Sequence, residues 1–356
     1  MSRPASSSSA ITSFVVASRY LPVYIALLLL LIVASIWAPA TLSGVALRAI
    51  APYGAVLGFA ALGQMLVVMT GGIDLSGPGT MSLAAVIMVG VGDGSNEQII
   101  IAIATAIAAA AVVGLVNGIL IGGLKLNPLI VTLAVGLIVV GRVNRYGTTF
   151  PVQSPVPTGL SDWTSTRVLG ASPVLWIGVA LTLVLIVGLR YTAVGRRFQA
   201  VGANPVASHV VGVRVNVHQI LVYVVAGVFY AIAGVALAGL IRTPGVSVGS
   251  QYLLGPIAAV VIGGASLTGG LASPLSTFAA ALFLTGLNQM LRTMGLPTSL
   301  QFVVFGLVII GGMLVSGDRI VRAVEQLIRE RKRPDRAQTP TLPGSAEGRA
   351  WKEEGM

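Results

Sequence analysis

Long apolar runs, separated by short polar or glycine-rich stretches, set the pattern of this chain. A membrane-spanning helix needs about 20 apolar residues, or roughly 17–25 when tilted. Ten segments approach that length: 20–38, 45–70, 75–92, 99–122, 128–141, 173–190, 217–241, 252–267, 272–291 and 299–316. The pattern predicts an all-α fold, a polytopic membrane bundle of about 10 transmembrane helices. The second segment is long, and the fifth and eighth are short. Broken or re-entrant segments are therefore expected at the Gly-rich loops, with 45–70 and 252–267 as the candidates.

Composition narrows the class. Hydrophobic residues make up 55% of the chain and charged residues 9%, where a soluble domain carries about 25% charged residues. Within 20–316 the only acids are Asp74, Asp93, Glu97 and Asp162. The net charge of +11 is not gathered on a soluble face with aromatics, as nucleic-acid binding requires. It lies between the spans and in the tail, where it reads as an orientation signal. With the N-terminus in the cytoplasm, Arg3, Arg19, Lys125, Arg190, Arg196, Arg197, Arg214 and every tail cation fall inside. Arg48, Arg142, Arg145, Arg167, Arg242 and Arg292 fall outside. Both termini are expected to be cytoplasmic.

Three parts follow from this pattern: a cytoplasmic segment over 1–19 without a cleavable leader pattern, a transmembrane domain over 20–316, and a cytoplasmic end over 317–356. In the last, Ile320, Val324, Leu327 and Ile328 share a face of a short amphipathic helix, and the Pro/Gly-rich remainder is expected to be disordered. Two loops are long, 142–172 outside and 190–216 inside.

The stretch "VVMTGGIDLSGPGTMSLAAVIM" (67–88) interrupts two apolar runs and carries Asp74, the only acid among the first 92 residues. Glycine pairs release the backbone from helical dihedrals, and Pro78 suits the first turn of a new helix, with Ser76 or Gly77 as its cap. The motif "GGIDLSG" (71–77) returns as "GGASLTG" (263–269), with Ser76 opposite Thr268 and Ser273-Pro274 repeating the start signal. Paired halves of this kind build transporters around a central path. Non-helical backbone at membrane depth must be buried in protein or line a wet cavity. Two readings stand for Asp74: part of a polar pathway or gate with Ser76, or a cap on a tight inter-helical turn. Gln64, Asn117, Thr132, Asn288, Gln289 and Gln301 also lie in apolar runs, where amides bind a polyol or fasten helices together. The candidate pathway set is Gln64, Asp74, Ser76, Asn117, Thr268 and Asn288.

Several chemistries are excluded or disfavoured. No lysine follows a glycine, so no P-loop exists. There is no cysteine, and His209 and His218 have no partners at metal spacing. No "GxSxG" elbow appears. No enzyme, cofactor or metal site is expected.

The inner loop "GRRFQAVGANPVASHVVGVRVNVHQ" (195–219) predicts a short helix. Asn204 caps it, Pro205 occupies its first position, and Gly212 stops it. Val206, Ala207, Val210 and Val211 offer it an apolar surface. It either fits a partner's groove or lies flat on the membrane.

Four blocks in order now carry a resemblance: "GGIDLS" (71–76), "GLVNGILIGGLKLNPLIVTLAVG" (114–136), "GRRFQAVGANPVASHVVGV" (195–213) and "IAAVVIGGASLTGG" (257–270). The chain resembles permease subunits of bacterial ABC importers of the ribose/monosaccharide type. The resemblance implies an inner-membrane protein paired with a second permease subunit, identical or not, two cytoplasmic ATP-binding subunits and an extracytoplasmic solute-binding protein. It implies that Asn204, Pro205, Val206, Ala207, Ser208, His209, Val210, Val211 and Gly212 form the coupling helix that docks on the ATPase. The solute implied is a pentose, hexose or related polyol. Related branches carry amino acids or nucleosides, and an ion-coupled carrier or a pathless scaffold subunit are rival readings. Two departures stand out: Gly77-Pro78-Gly79 replaces a bulky residue before a single glycine, and the usual acids near Val206 and Ala207 are missing.

Overall fold

The computed structural model describes residues 7–149 and 155–316. The amphipathic helix expected at 320–328 and the tail lie outside the described residues. Among the described residues thirteen α-helices follow in chain order: α1 (Ser7–Trp37), α2 (Gly44–Met69), α3 (Gly77–Gly90), α4 (Ile99–Gly118), α5 (Pro128–Thr149), α6 (Thr158–Ser165), α7 (Pro173–Tyr191), α8 (Ala193–Ala203), α9 (Pro205–Val210), α10 (Val215–Ile241), α11 (Leu254–Ile262), α12 (Pro274–Thr293) and α13 (Thr298–Ser316). α4 runs on as a π-helix over Ile119–Gly123. Among the described residues there is no strand, only one isolated bridge, Val168–Ala171.

Every one of the ten expected apolar segments carries a helix. Among the described residues, six helices are long and apolar enough to cross a bilayer, and three shorter apolar ones include α3 and α11. Those two adjoin the Gly-rich stretches, so each is a partial span, as expected for 252–267; the other candidate, 45–70, is instead the single unbroken helix α2. The fifth segment corrects the expectation: it is not short. Arg142 and Arg145 do not stop α5, because Val143 between them is buried with Val86 and Val139 against α3. α1 also starts earlier, so residues 7–19 are helical. Residues 142–172, expected outside, contain α6, and 190–216, expected inside, hold two helices, α8 and α9, where one was expected.

The core is built on α10, the most buried of the long helices, with 67% of its most apolar stretch buried. It packs on α2, α3 and α4 through small residues. A side chain on Gly227 would run into the Ala110 carbonyl of α4, so the two helices meet backbone to backbone. Phe59, Leu62, Met65, Met81 and Leu237 fill the space between these helices. The outer faces are apolar and open: Leu28 on α1, Ile100 on α4, Ile138 on α5, Val184 on α7 and Leu307 on α13 are all exposed. Only hydrocarbon solvates so much exposed apolar surface at no cost. α10 begins beside α8 and α9 and ends against Leu160 and Thr164 of α6.

Candidate functional site

Both Gly-rich stretches stop their helices by the same device. After α2, Gly71 (φ 80) donates to the Val68 carbonyl at 2.9 Å and Gly72 to Val67 at 3.2 Å. After α11, Gly264 (φ 81) donates to Val261 at 3.0 Å and Ala265 to Val260 at 3.1 Å. This pair of bonds is a Schellman cap, whose left-handed residue is glycine because an L side chain there costs roughly 1–2 kcal/mol. The caps set Gly71 against Gly264, one residue out of step with the sequence echo. Beyond them the stretches diverge: α3 starts at Gly77, α12 only at Pro274.

The first stretch is enclosed by a polar network. Asp74 is 4% exposed, and its Oδ1 accepts from both the Ser76 amide (2.8 Å) and the Ser76 hydroxyl (2.6 Å). Ser76 occupies the N-cap position of α3 but does not cap it with its side chain. Its hydroxyl serves Asp74 instead and accepts from Asn117 Nδ2 of α4 at 2.8 Å. Thr132 of α5 accepts from the Leu75 amide at 3.0 Å. The Gln64 amide of α2, in the orientation its neighbours satisfy, takes the Asp74 N–H at 3.2 Å and donates to the Asp74 carbonyl at 3.0 Å and to Tyr230 Oη at 2.8 Å. Gln64 of α2, Thr132 of α5 and the Asp74 side chain thereby pair backbone groups of the non-helical stretch, which apolar surroundings demand.

Of the expected pathway residues, Gln64, Asp74, Ser76 and Asn117 thus come together. Thr268 bonds Ser266 at 2.8 Å in the second stretch, its carbonyl 3.8 Å from the place a Cβ on Gly71 would take. Asn288 lies half-buried near the end of α12, outside the network. Sequence reading had Thr132 only as one polar residue among several, and it missed Tyr223 and Tyr230. Their place seven residues apart on one helix face was the available signal.

The second stretch reaches the first directly. Gly270 donates its amide to the Met69 carbonyl at 2.8 Å. Gly202, at the end of α8, fits between them: a Cβ there would overlap Met69 O and lie 2.9 Å from Gly270 N. Only glycine permits this approach. Ala203, Asn204 and α9 follow at once. Asn204 caps α9 by accepting from Ala207 N at 2.9 Å, and Gly212 (φ 82) ends it. Pro205, Ala207 and His209 are exposed, as are Val206 (75%), Val210 (79%) and Val211 (76%), while Ser208 is buried.

An open cavity of about 220 Å³ lies beside the first stretch, lined by Thr70, Gly72, Lys125, Gln219 and Tyr223 among others. Lys125, left-handed at φ 57 just after the π-helix, ties α10 to this wall through Asn216 Oδ1 (2.6 Å) and Gln219 Oε1 (3.0 Å). Four buried side-chain atoms among the described residues lack a partner; one is Oη of the cavity-lining Tyr223 and another is Oδ1 of Asn117 in the polar network. A larger cavity of about 510 Å³, between α4, α6 and α7, is lined almost wholly by apolar groups such as Phe59, Ile103 and Ile177. It offers a polar solute little to bind. No cluster of acids or histidines among the described residues is fit to hold a metal.

Comparison with known proteins agrees with this architecture. Residues 46–313 match the family described as branched-chain amino acid transport system / permease component. The chain is 31% identical over 266 residues to the ribose import permease protein of Escherichia coli (strain K12), covering 73% of this chain and 81% of that one. It is 32% identical to the galactose/methyl galactoside import permease protein of the same strain, covering 81% and 91%. It is 31% identical to the autoinducer 2 import system permease protein of Enterobacter sp. (strain 638), covering 84% and 87%. No solved structure matches the chain. A lipid-faced helical bundle with capped Gly-rich breaks, matched along most of its length by import permeases, makes this chain a member of the family of permease components named for branched-chain amino acid transport.

Proposed function

We propose that the chain forms the membrane path of an ATP-driven sugar importer and is worked by a separate ATPase through α9. The observation that carries the reading is the backbone junction of Met69, Gly202 and Gly270. It joins the segment leading into α9 to both Gly-rich breaks, with no flexible side chain between. Contacts of this kind transmit displacement, because close-packed backbone does not yield.

The face bearing α8 and α9 is the cytoplasmic one, since that orientation collects most of the Lys and Arg inside. Both termini then lie inside the bacterial inner membrane. Val206 and Val210 of α9 and Val211 at its C-terminal end are exposed, an apolar surface suited to a groove on an ATP-binding subunit. Hydrolysis belongs to that partner, because this chain has no P-loop. A second permease subunit completes the path, and an extracytoplasmic binding protein delivers the solute. The pathway residues are Gln64, Asp74, Ser76, Asn117 and Thr268.

Sugar is favoured as cargo by the relatives named for ribose and galactose. It is also favoured by the chemistry beside the first break, which is rich in amides and hydroxyls. The test is reconstitution of the chain with its ATPase and binding protein in vesicles. Uptake of radiolabelled ribose or galactose that requires ATP and ignores ionophores is expected. Uptake that proceeds without the ATPase and collapses with an ionophore would overturn the reading in favour of an ion-coupled carrier.

A further inference from the structure

We infer that the 220 Å³ cavity beside the first break is a subsite for a neutral polyhydroxylated solute, read by the hydroxyl of Tyr223. The inference rests on the importer reading above and gives it a contact residue.

Tyr223 is 1% exposed, its ring is part of the central core, and its hydroxyl has no partner in the protein. A buried hydroxyl without a partner is costly, and phenylalanine would fill the same space without that cost. Tyr230, seven residues on along the same face of α10, shows the usual solution, since its hydroxyl is paired with Gln64 at 2.8 Å. Tyr223 instead lines the cavity. Space for it is kept by Gly72 of the break, where any Cβ would strike Tyr223 Oη.

The surrounding groups complete a set of donors and acceptors. Lys125 Nζ spends two of its three hydrogens on Asn216 and Gln219 and has one left. The Gln219 amide keeps its NH₂ donors. The Thr70 hydroxyl donates to Val67 at 2.8 Å and still accepts. Alternating donors and acceptors suit hydroxyl groups. No carboxylate is among the lining residues to receive the ammonium of an amino acid.

Tyr223→Phe tests this in vesicles holding the chain, its ATPase and its binding protein, with radiolabelled ribose and galactose as probes. Removing one hydrogen bond to a neutral solute is expected to lower ATP-dependent uptake about fivefold to tenfold. The melting temperature should stay the same or rise, because the variant sheds an unpaired buried group. Unchanged uptake would overturn the subsite and mark the hydroxyl as a site for ordered water only. A fall in uptake matched by a fall in melting temperature would also overturn it, by showing a structural role. The two readings fail separately: a wild type without ATP-dependent uptake of either sugar sinks both, whereas normal uptake by the variant sinks the subsite alone.

Discussion

The amide of Gly270 donates to the carbonyl oxygen of Met69 at 2.8 Å, so the two Gly-rich breaks of the bundle meet backbone to backbone. Met69 is the last residue of α2, and Gly270 lies between α11 and α12. Helices far apart in sequence are tied together where their regular hydrogen bonding stops. The first of two glycine predictions follows from what occupies the corner. Gly202→Ala places a methyl group on the Met69 carbonyl oxygen, with backbone rather than side chain as the obstacle. A loss of about 3 kcal/mol in stability is expected from such overpacking, together with loss of ATP-dependent uptake. Thermal unfolding in detergent and vesicle uptake measure the two effects.

Gly212 provides the contrast. Its φ is 82, and nothing lies within 4 Å of a Cβ built there. Gly212→Ala therefore carries only the conformational cost of a left-handed alanine, roughly 1–2 kcal/mol. It should leave uptake near normal where Gly202→Ala abolishes it. Equal loss from both would mean that steric fit at Gly202 is not what matters.

Asp74 makes both of its bonds through one oxygen, to the amide and hydroxyl of Ser76. Asparagine forms the same turn with its single side-chain oxygen. Asp74→Asn is expected to keep its melting temperature and most of its uptake. Asp74→Ala is expected to lose about 1–3 kcal/mol through the orphaned Ser76 groups. If Asp74→Asn retains stability but loses uptake, the carboxylate charge itself belongs to the pathway.

Gln64→Leu removes the partner of both the N–H and the C=O of Asp74 and leaves Tyr230 unpaired. Each orphaned buried group costs about 1–3 kcal/mol, so this variant should be the least stable of those in the network. Tyr230→Phe, which leaves the Gln64–Asp74 pair intact, should cost much less. The ranking of their melting temperatures checks it.

The hydrophobic pattern located the ten apolar helices because lipid demands length and apolarity over each whole span. It misjudged α5, whose arginines lie on a helix held by packing against α3, a tertiary effect invisible to local hydropathy. The Gly-Gly pairs announced both breaks, and Asn204, Pro205 and Gly212 announced α9, because caps are local chemistry. Gln64, Asp74, Ser76 and Asn117 stood out as polar residues in apolar surroundings. Tyr223 and Tyr230 did not, since a tyrosine in an apolar run looks like any aromatic core residue until its hydroxyl is followed. Gly202 gave no signal at all. Its role depends on the Met69 carbonyl and the Gly270 amide brought beside it from distant parts of the chain, and nothing in "QAVGANP" reports them.

The account depends most on α9 facing the cytoplasm and meeting an ATPase there. The chain has no cysteine, so Val210→Cys, at a residue 79% exposed, introduces a single thiol. Labelling it with a membrane-impermeant maleimide, in intact cells and in inverted vesicles with and without the bound ATP-binding subunit, tests this directly. The account predicts no labelling in intact cells, rapid labelling in bare inverted vesicles, and protection once the ATP-binding subunit is added. Labelling from outside intact cells, or labelling that the subunit leaves unchanged, would contradict it.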